Sequence, residues 1–245
     1  EAGRYHVAHL HLEGEPLALH IRRARPSSRP LSREAVRSIA RGILEPLGAL
    51  HAAGLAHGGL GPESVLVGAR SGRGAEPAVW LVDLATDRLR ARGVASAARA
   101  IVAPEVLRGA VATARSDVYA FGAILYELVT GEPVFAAEPA PDVALAHLTR
   151  APTPPATRAP PGQVSEETSS FVLSLLAKDP AIRPKDAQAV LAALSALERG
   201  VAVVGPGASG PEALDALAAT LLASPDDIEA ALALESLVEE GGDPG

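Results

Sequence analysis

The chain has 245 residues, 48% of them hydrophobic and 21% charged, which supplies a packed core and excludes global disorder. Its net charge of −7 argues against a nucleic-acid ligand, which would call for a basic face, and the absence of cysteine excludes disulfides and thiolate metal sites. Much of the apolar share is alanine and aromatics are only 3%, so a mostly helical protein with an aliphatic core is expected. Apolar runs such as Val201 to Val204 are too short to cross a bilayer. No charged-then-apolar leader opens the chain, so cytoplasmic placement and no membrane insertion are expected. The chain opens on Glu1 and holds no methionine, which leads us to expect a partial or processed product.

In chain order, Tyr5 to Leu12 alternates in the manner of a short strand, and Glu13-Gly14-Glu15 turns into a short helix over Pro16 to Arg23. His9 and His11 share a strand face as metal ligands do, but no third ligand lies near, so no metal site is assigned. The arginines Arg22, Arg23, Arg25, Arg29 and Arg33 read as a solvated loop and helix edge. Ser32 is a helix N-cap that opens a long helix to about Ala53, with Val36, Ile39, Ile43, Leu47 and Leu50 on one stripe. Pro46 inside that helix predicts a kink or local break, and Gly54 a C-terminal cap.

Val65 to Val67 and Val79 to Val82 read as a β hairpin, and Asp83 to Ile101 as loop. Asp117 to Val129, apolar all round, predicts a helix buried in the centre of the domain. A Pro-rich stretch, Pro139 to Pro161, surrounds a short helix over Asp142 to Leu148. Two amphipathic helices follow, Ser165 to Ala177 and Pro184 to Leu197. The pattern divides the chain into a domain over 1–200, a Gly-containing linker over 201–210 and a helical hairpin over 211–240, whose second helix opens at Ser224-Pro225-Asp226-Asp227.

Several segments match one family in order. Leu50-His51-Ala52-Ala53-Gly54-Leu55-Ala56-His57 resembles the end of the long helix before the catalytic loop of eukaryotic-type serine/threonine protein kinases, particularly bacterial ones. His57-Gly58-Gly59-Leu60-Gly61-Pro62-Glu63-Ser64 lies where that family has His-Arg-Asp-Leu-x-x-x-Asn, and Asp83-Leu84-Ala85 where it has Asp-Phe-Gly. Ala103-Pro104-Glu105 matches Ala-Pro-Glu as it stands. Ser116 to Gly122 resembles the central helix, and Lys178-Asp179-Pro180 with Arg183-Pro184 the late Arg motif.

The resemblance covers Tyr5 to about Leu197. It implies a mainly α fold with a small β hairpin: a kinase-like large lobe beginning at the hinge strand, the small lobe absent from this chain, and the helical hairpin appended.

It also implies roles. The family's proton-accepting Asp is Gly59 here, its phosphate-contacting Lys is Gly61, its metal-holding Asn is Ser64, and its loop Arg is Gly58; the activation-segment Thr aligns with Ala98. Loss of a general base costs about 10²–10⁴ in rate. The expectation is therefore a pseudokinase with no catalytic residue, not an enzyme, that binds and scaffolds other proteins in bacterial signalling or assembly. Its expected surfaces are the large-lobe helices, Pro152 to Pro161 and the C-terminal hairpin. Asp83 is the one residual candidate for a magnesium or nucleotide contact, with ATP and magnesium bound only if a small lobe lies upstream. A nucleotide-sensing switch and an atypical kinase are the alternatives. His57, Glu105, Asp117 and Arg183 are implied as structural residues of the kinase fold, with Glu105 and Arg183 a buried ion pair.

Overall fold

The computed structural model describes residues 12–24, 31–68, 77–84, 101–135 and 140–199. The expected strand over Tyr5 to Leu12, the pair His9 and His11, the linker 201–210 and the hairpin 211–240 therefore lie wholly or almost wholly outside the described residues.

Strand β1 (Glu15–Pro16) leads directly into helix α1 (Leu17–Ala24), which buries Leu17 and Ile21. Helix α2 (Arg33–Ala52) starts where expected, with the Ser32 side chain accepting from the Ala35 N–H. It ends at Gly54, whose φ of 72° is a left-handed conformation that glycine adopts without strain. The break expected at Pro46 does not occur. Helix α2 is held between strand β3 on one side and the last helix on the other, and this packing outweighs the local cost of proline, about 3 kcal/mol. The approach to β3 is close enough that a Cβ on Gly42 would stand 2.6 Å from a Val79 methyl.

Strands β2 (Val65–Val67) and β3 (Val79–Leu81) form the expected hairpin. β1 joins it, giving an antiparallel sheet in the order β1-β2-β3 with Glu15 opposite Val67 and Val65 opposite Leu81. Helix α3 is the short Pro104–Leu107. Helix α4 (Ala114–Thr130) is the predicted central helix: Val118, Tyr119, Phe121, Ile124 and Tyr126 are all inaccessible to solvent. A Cβ on Gly122 would meet the Leu175 Cβ at 2.7 Å, so this glycine lets the helix bearing Leu175 press on α4.

Helices α5 (Ala140–Thr149) and α6 (Pro155–Arg158) occupy the Pro-rich stretch, where the sequence pattern predicts only the first. Helix α7 (Glu166–Leu175) is capped by Ser165, a 3₁₀ turn covers Pro180–Ile182, and helix α8 (Ala187–Glu198) is capped by Asp186. One aliphatic core runs through α1, α2, β2, α4, α7 and α8. No helix among the described residues is long and apolar enough to cross a membrane.

Candidate functional site

The site is built around the N-terminal end of α4. Asp117 is buried in the first turn, and its carboxylate faces the loop that follows α2. Oδ2 accepts from the backbone N–H of His57 at 2.6 Å and Oδ1 from that of Gly58 at 2.9 Å. His51, near the end of α2, completes the cluster. Its Nδ1 accepts from the Ala187 N–H at 3.0 Å, which places the proton on Nε2, 3.1 Å from Asp117 Oδ2. One carboxylate thus ties α2, the loop and α4 together, and His51 extends the tie to the start of α8. The family resemblance implies a structural part for Asp117 and none for His51, whose spacing does not distinguish it from other helix-terminal histidines.

Gly58 takes a φ of 68°, which suits the glycine found there. His57 is fully buried, and neither ring nitrogen meets a partner of good hydrogen-bond geometry among the described residues. Burial holds its pKa below the ordinary imidazole value, against the opposing pull of Asp117 and Asp83, so the ring is neutral at pH 7. Ser64 closes the loop. Its hydroxyl accepts from the Gly61 N–H at 2.9 Å and lies 3.0 Å from the Gly61 carbonyl oxygen and 3.3 Å from that of Gly59.

The Ala103-Pro104-Glu105 segment is anchored from the far side of the domain. Arg183, with no exposed surface, grips Glu105 through two parallel bonds of 2.9 Å. It also donates to the carbonyl oxygens of Ala177, Arg115 and Lys178. Ser116, to which the sequence pattern attaches no role, donates to Glu105 at 2.8 Å. Burial works against ionisation of Glu105, but the Arg183 guanidinium prevails and holds its pKa below the ordinary carboxylate value. The Arg183 guanidinium also lies 4.8 Å over the Tyr119 ring. Beside it the Lys178 ammonium donates to the Tyr119 hydroxyl and the His147 carbonyl, while that hydroxyl is 2.8 Å from His147 Nδ1. The sequence motifs include Lys178 and Arg183, but no sequence signal brings Tyr119 and His147 to them.

Between the loop and α3 runs an apolar groove of about 630 Å³. Gly58 and Gly59 contribute bare backbone to one wall, and Ile101, Val102, Val106 and Val111 contribute aliphatic side chains. The Asp117 carboxylate at its edge is already engaged by the loop amides.

Asp83 stands exposed just past β3 with a φ of 61°, a conformation aspartate tolerates better than most residues. A magnesium–phosphate group takes one or two carboxylates and completes its shell with phosphate and water, and Asp83 fits that part. Ser64, where the family resemblance implies a second metal ligand, does not fit that part, because its hydroxyl is bound within its own loop.

This arrangement of loop, anchored Ala-Pro-Glu segment and central helix is that of a protein kinase domain. The family model described as "Protein kinase domain" matches residues 4–194, and the chain belongs to that family. Its relatives include the serine/threonine-protein kinase pkn3 of Myxococcus xanthus, 34% identical over 180 residues that cover 69% of this chain and 32% of the relative. A probable serine/threonine-protein kinase PknB of Corynebacterium glutamicum is 33% identical over 169 residues, 64% of this chain and 25% of the relative. The chain thus spans about a third or less of the length of these relatives. The crystal structure of the Mycobacterium tuberculosis PknI kinase domain, in a mutant form, superposes with a TM-score of 0.53 at 20% identity, covering 76% of this chain and 62% of that one, which shows the shared fold.

These matches overturn the expectation that the chain is not an enzyme. The relatives are named serine/threonine-protein kinases, and the family match runs through residues 4–194 of this chain. The replacements at Gly58, Gly59, Gly61 and Ser64 are facts of the sequence, but they do not establish a non-enzyme. Phosphoryl transfer depends mainly on positioning and electrostatics shared among many groups, and two ties of the fold, Asp117 to the loop and Arg183 to Glu105, are present.

Proposed function

We propose that this chain is the protein-recognition lobe of a bacterial serine/threonine kinase-family protein, the large lobe of the kinase fold over residues 1–200. It binds an extended, uncharged segment of a partner protein in the groove between the 57–64 loop and α3, and so acts as a docking module in signalling or assembly. One observation carries the reading: the groove is walled by aliphatic side chains and glycine backbone, while its bordering carboxylate, Asp117, is already engaged by the loop. A groove of this kind favours apolar side chains on an extended strand and disfavours acidic or basic ones. The test is a peptide library titrated against the full chain by fluorescence anisotropy. Val106→Arg is expected to weaken the best apolar peptide at least tenfold. Unchanged affinity, or a best peptide rich in charge, would refute the reading.

A second reading concerns nucleotide. Asp83 offers an exposed carboxylate beside the loop, the position from which a magnesium–nucleotide contact is made if a small lobe covers it. A thermal-shift titration with magnesium and ATP checks this. A rise in midpoint that vanishes in Asp83→Ala supports it, and a midpoint indifferent to ATP counts against it.

A further inference from the structure

The charge of this chain is unevenly divided. Residues 201–245 carry nine aspartates and glutamates and no Lys, Arg or His, so all 22 Lys and Arg residues stand in residues 1–200 against 20 acids there. The net charge of −7 therefore belongs to the last 45 residues, and the kinase-like part is slightly basic.

The basic excess has a definite place. Between Pro16 and Arg41 the sequence holds seven arginines and a single acid, Glu34. Three of those arginines, Arg33, Arg37 and Arg41, recur every four residues and so lie in a row along one face of α2, about 12 Å from first to last. That face borders the end of α8. Arg37 and Arg41 both reach the one carboxylate of Glu198, at 3.5 and 2.6 Å, and Arg41 also donates to Ser195. Arg33 is bonded only to neutral acceptors among its described hydrogen bonds, the carbonyl oxygens of Gly162 and Gln163. Arg199, exposed at the end of α8, adds a fourth guanidinium. The row of three cations lies beside Glu198, with Glu34 next to Arg33 in sequence and Glu45 a turn beyond Arg41. The N-terminal end of α2 adds its own positive field near Arg33.

We propose that the acidic segment 211–240 docks on this arginine row of its own chain. Position favours it: the row touches Glu198, and the first acid of the segment, Glu212, is only 13 residues past Arg199. Thirteen residues reach up to about 45 Å, several times the length of the row. Exposed ion pairs are individually weak, but a short tether presents the partner at an effective concentration on the order of millimolar, which several weak pairs suffice to capture. The acids are spaced for it. Glu212 and Asp215, and Glu235 and Glu239, stand three and four residues apart, the spacing that sets side chains on one face if the segment is helical. None of the residues that line the groove belongs to the arginine row.

The test uses the full chain carrying Arg37→Lys, which keeps the charge at an exposed position. A carbodiimide then condenses the new amine with a nearby carboxylate to an amide, with loss of water. The chain has only two native lysines, Lys178 and Lys185, which serve as internal controls. The expected product is an intramolecular amide between position 37 and a carboxylate of 212–240 at about 0.05 M salt, at least fivefold more abundant than any from Lys185. It should fall at least fivefold at about 0.5 M salt, where the screening length drops from about 14 to about 4 Å. Linkage to Glu34 or Glu198 alone, equal yield at Lys185, or a product joining two copies would overturn the proposal. A second readout needs no new amine. Cleavage after Glu235 by a glutamate-specific protease should speed up at least threefold in the charge reversal Arg33→Glu with Arg37→Glu, and an unchanged rate would also overturn it.

Discussion

Arg183→Met removes the cation from a largely buried ion pair. Arg183 has no exposed surface and Glu105 is 16% exposed. The substitution leaves Glu105 without its guanidinium and deprives three carbonyl oxygens, those of Ala177, Arg115 and Lys178, of a donor. Breaking such a pair costs about 3–5 kcal/mol. In a chain of this size each kcal/mol moves the melting midpoint by roughly 2–4 °C, so the midpoint should fall by roughly 6–20 °C. Trp80, the sole tryptophan, reports the transition by fluorescence, with far-UV circular dichroism as a second probe. Two controls make the reasoning vulnerable. Glu105→Leu added to Arg183→Met should restore part of the loss, because the stranded carboxylate is gone. The cost of Arg183→Met should also shrink on acidification. In the intact protein the folded pKa of Glu105 is lowered, so its contribution is present above the unfolded value of about 4.3 and lost as pH falls through the folded value. Without Arg183, burial acts on Glu105 against only the Ser116 hydroxyl and a backbone hydrogen bond, and protonation relieves the stranded charge. A loss below about 1 kcal/mol, or a loss that does not change between pH 7 and pH 4, would refute the account.

Asp117→Asn keeps shape but weakens the bonds from the His57 and Gly58 amides, and chemical denaturation should show a loss of about 2–4 kcal/mol. Gly131→Ala, at the left-handed C-cap of α4 where a Cβ would meet open space, isolates backbone strain and should cost about 1–2 kcal/mol by the same assay. Burial, with the nearby Lys178 charge, lowers His147 to about 4. Its unfolded form therefore takes up a proton first, and stability should decline as pH falls from about 6.5 towards 4, less so in His147→Phe. Burial, then Arg183 and Arg108, lowers Lys178 to about 8. Stability should accordingly rise between about pH 8 and 10, a rise that Lys178→Met abolishes; above pH 10 burial of Tyr119, which raises its pKa, works the other way.

Signals that are local survived the passage from sequence to structure. Ser32 and Gly54 bound α2 because capping and left-handed backbone are decided by one or two residues. The all-round apolar run after Asp117 found its buried place because no other site could accept it. Glu105, Asp117 and Arg183 stand out only through resemblance to a family, since their contacts join positions up to 78 residues apart and leave no periodic trace. What the pattern hides depends on tertiary contact. β1 is two residues long and exists through its pairing with β2. Helix α2 continues through Pro46 because its neighbours hold it, and His51 matters because α8 presents an amide to it. Bare positions in the 57–64 loop do not by themselves decide activity, because the family match rests on residues 4–194 together and not on those side chains singly.

Asp117 seizes amide hydrogens, which every residue but proline possesses, and ignores what hangs from the α-carbons. The contour of the segment it holds is consequently insulated from that segment's own chemistry. Gly58 and Gly59 can be rewritten with bulkier or charged groups, within the limits of a positive φ at the first, and the path of the chain should persist. Recognition by shape and reaction by functional group can thus be altered separately at this one turn.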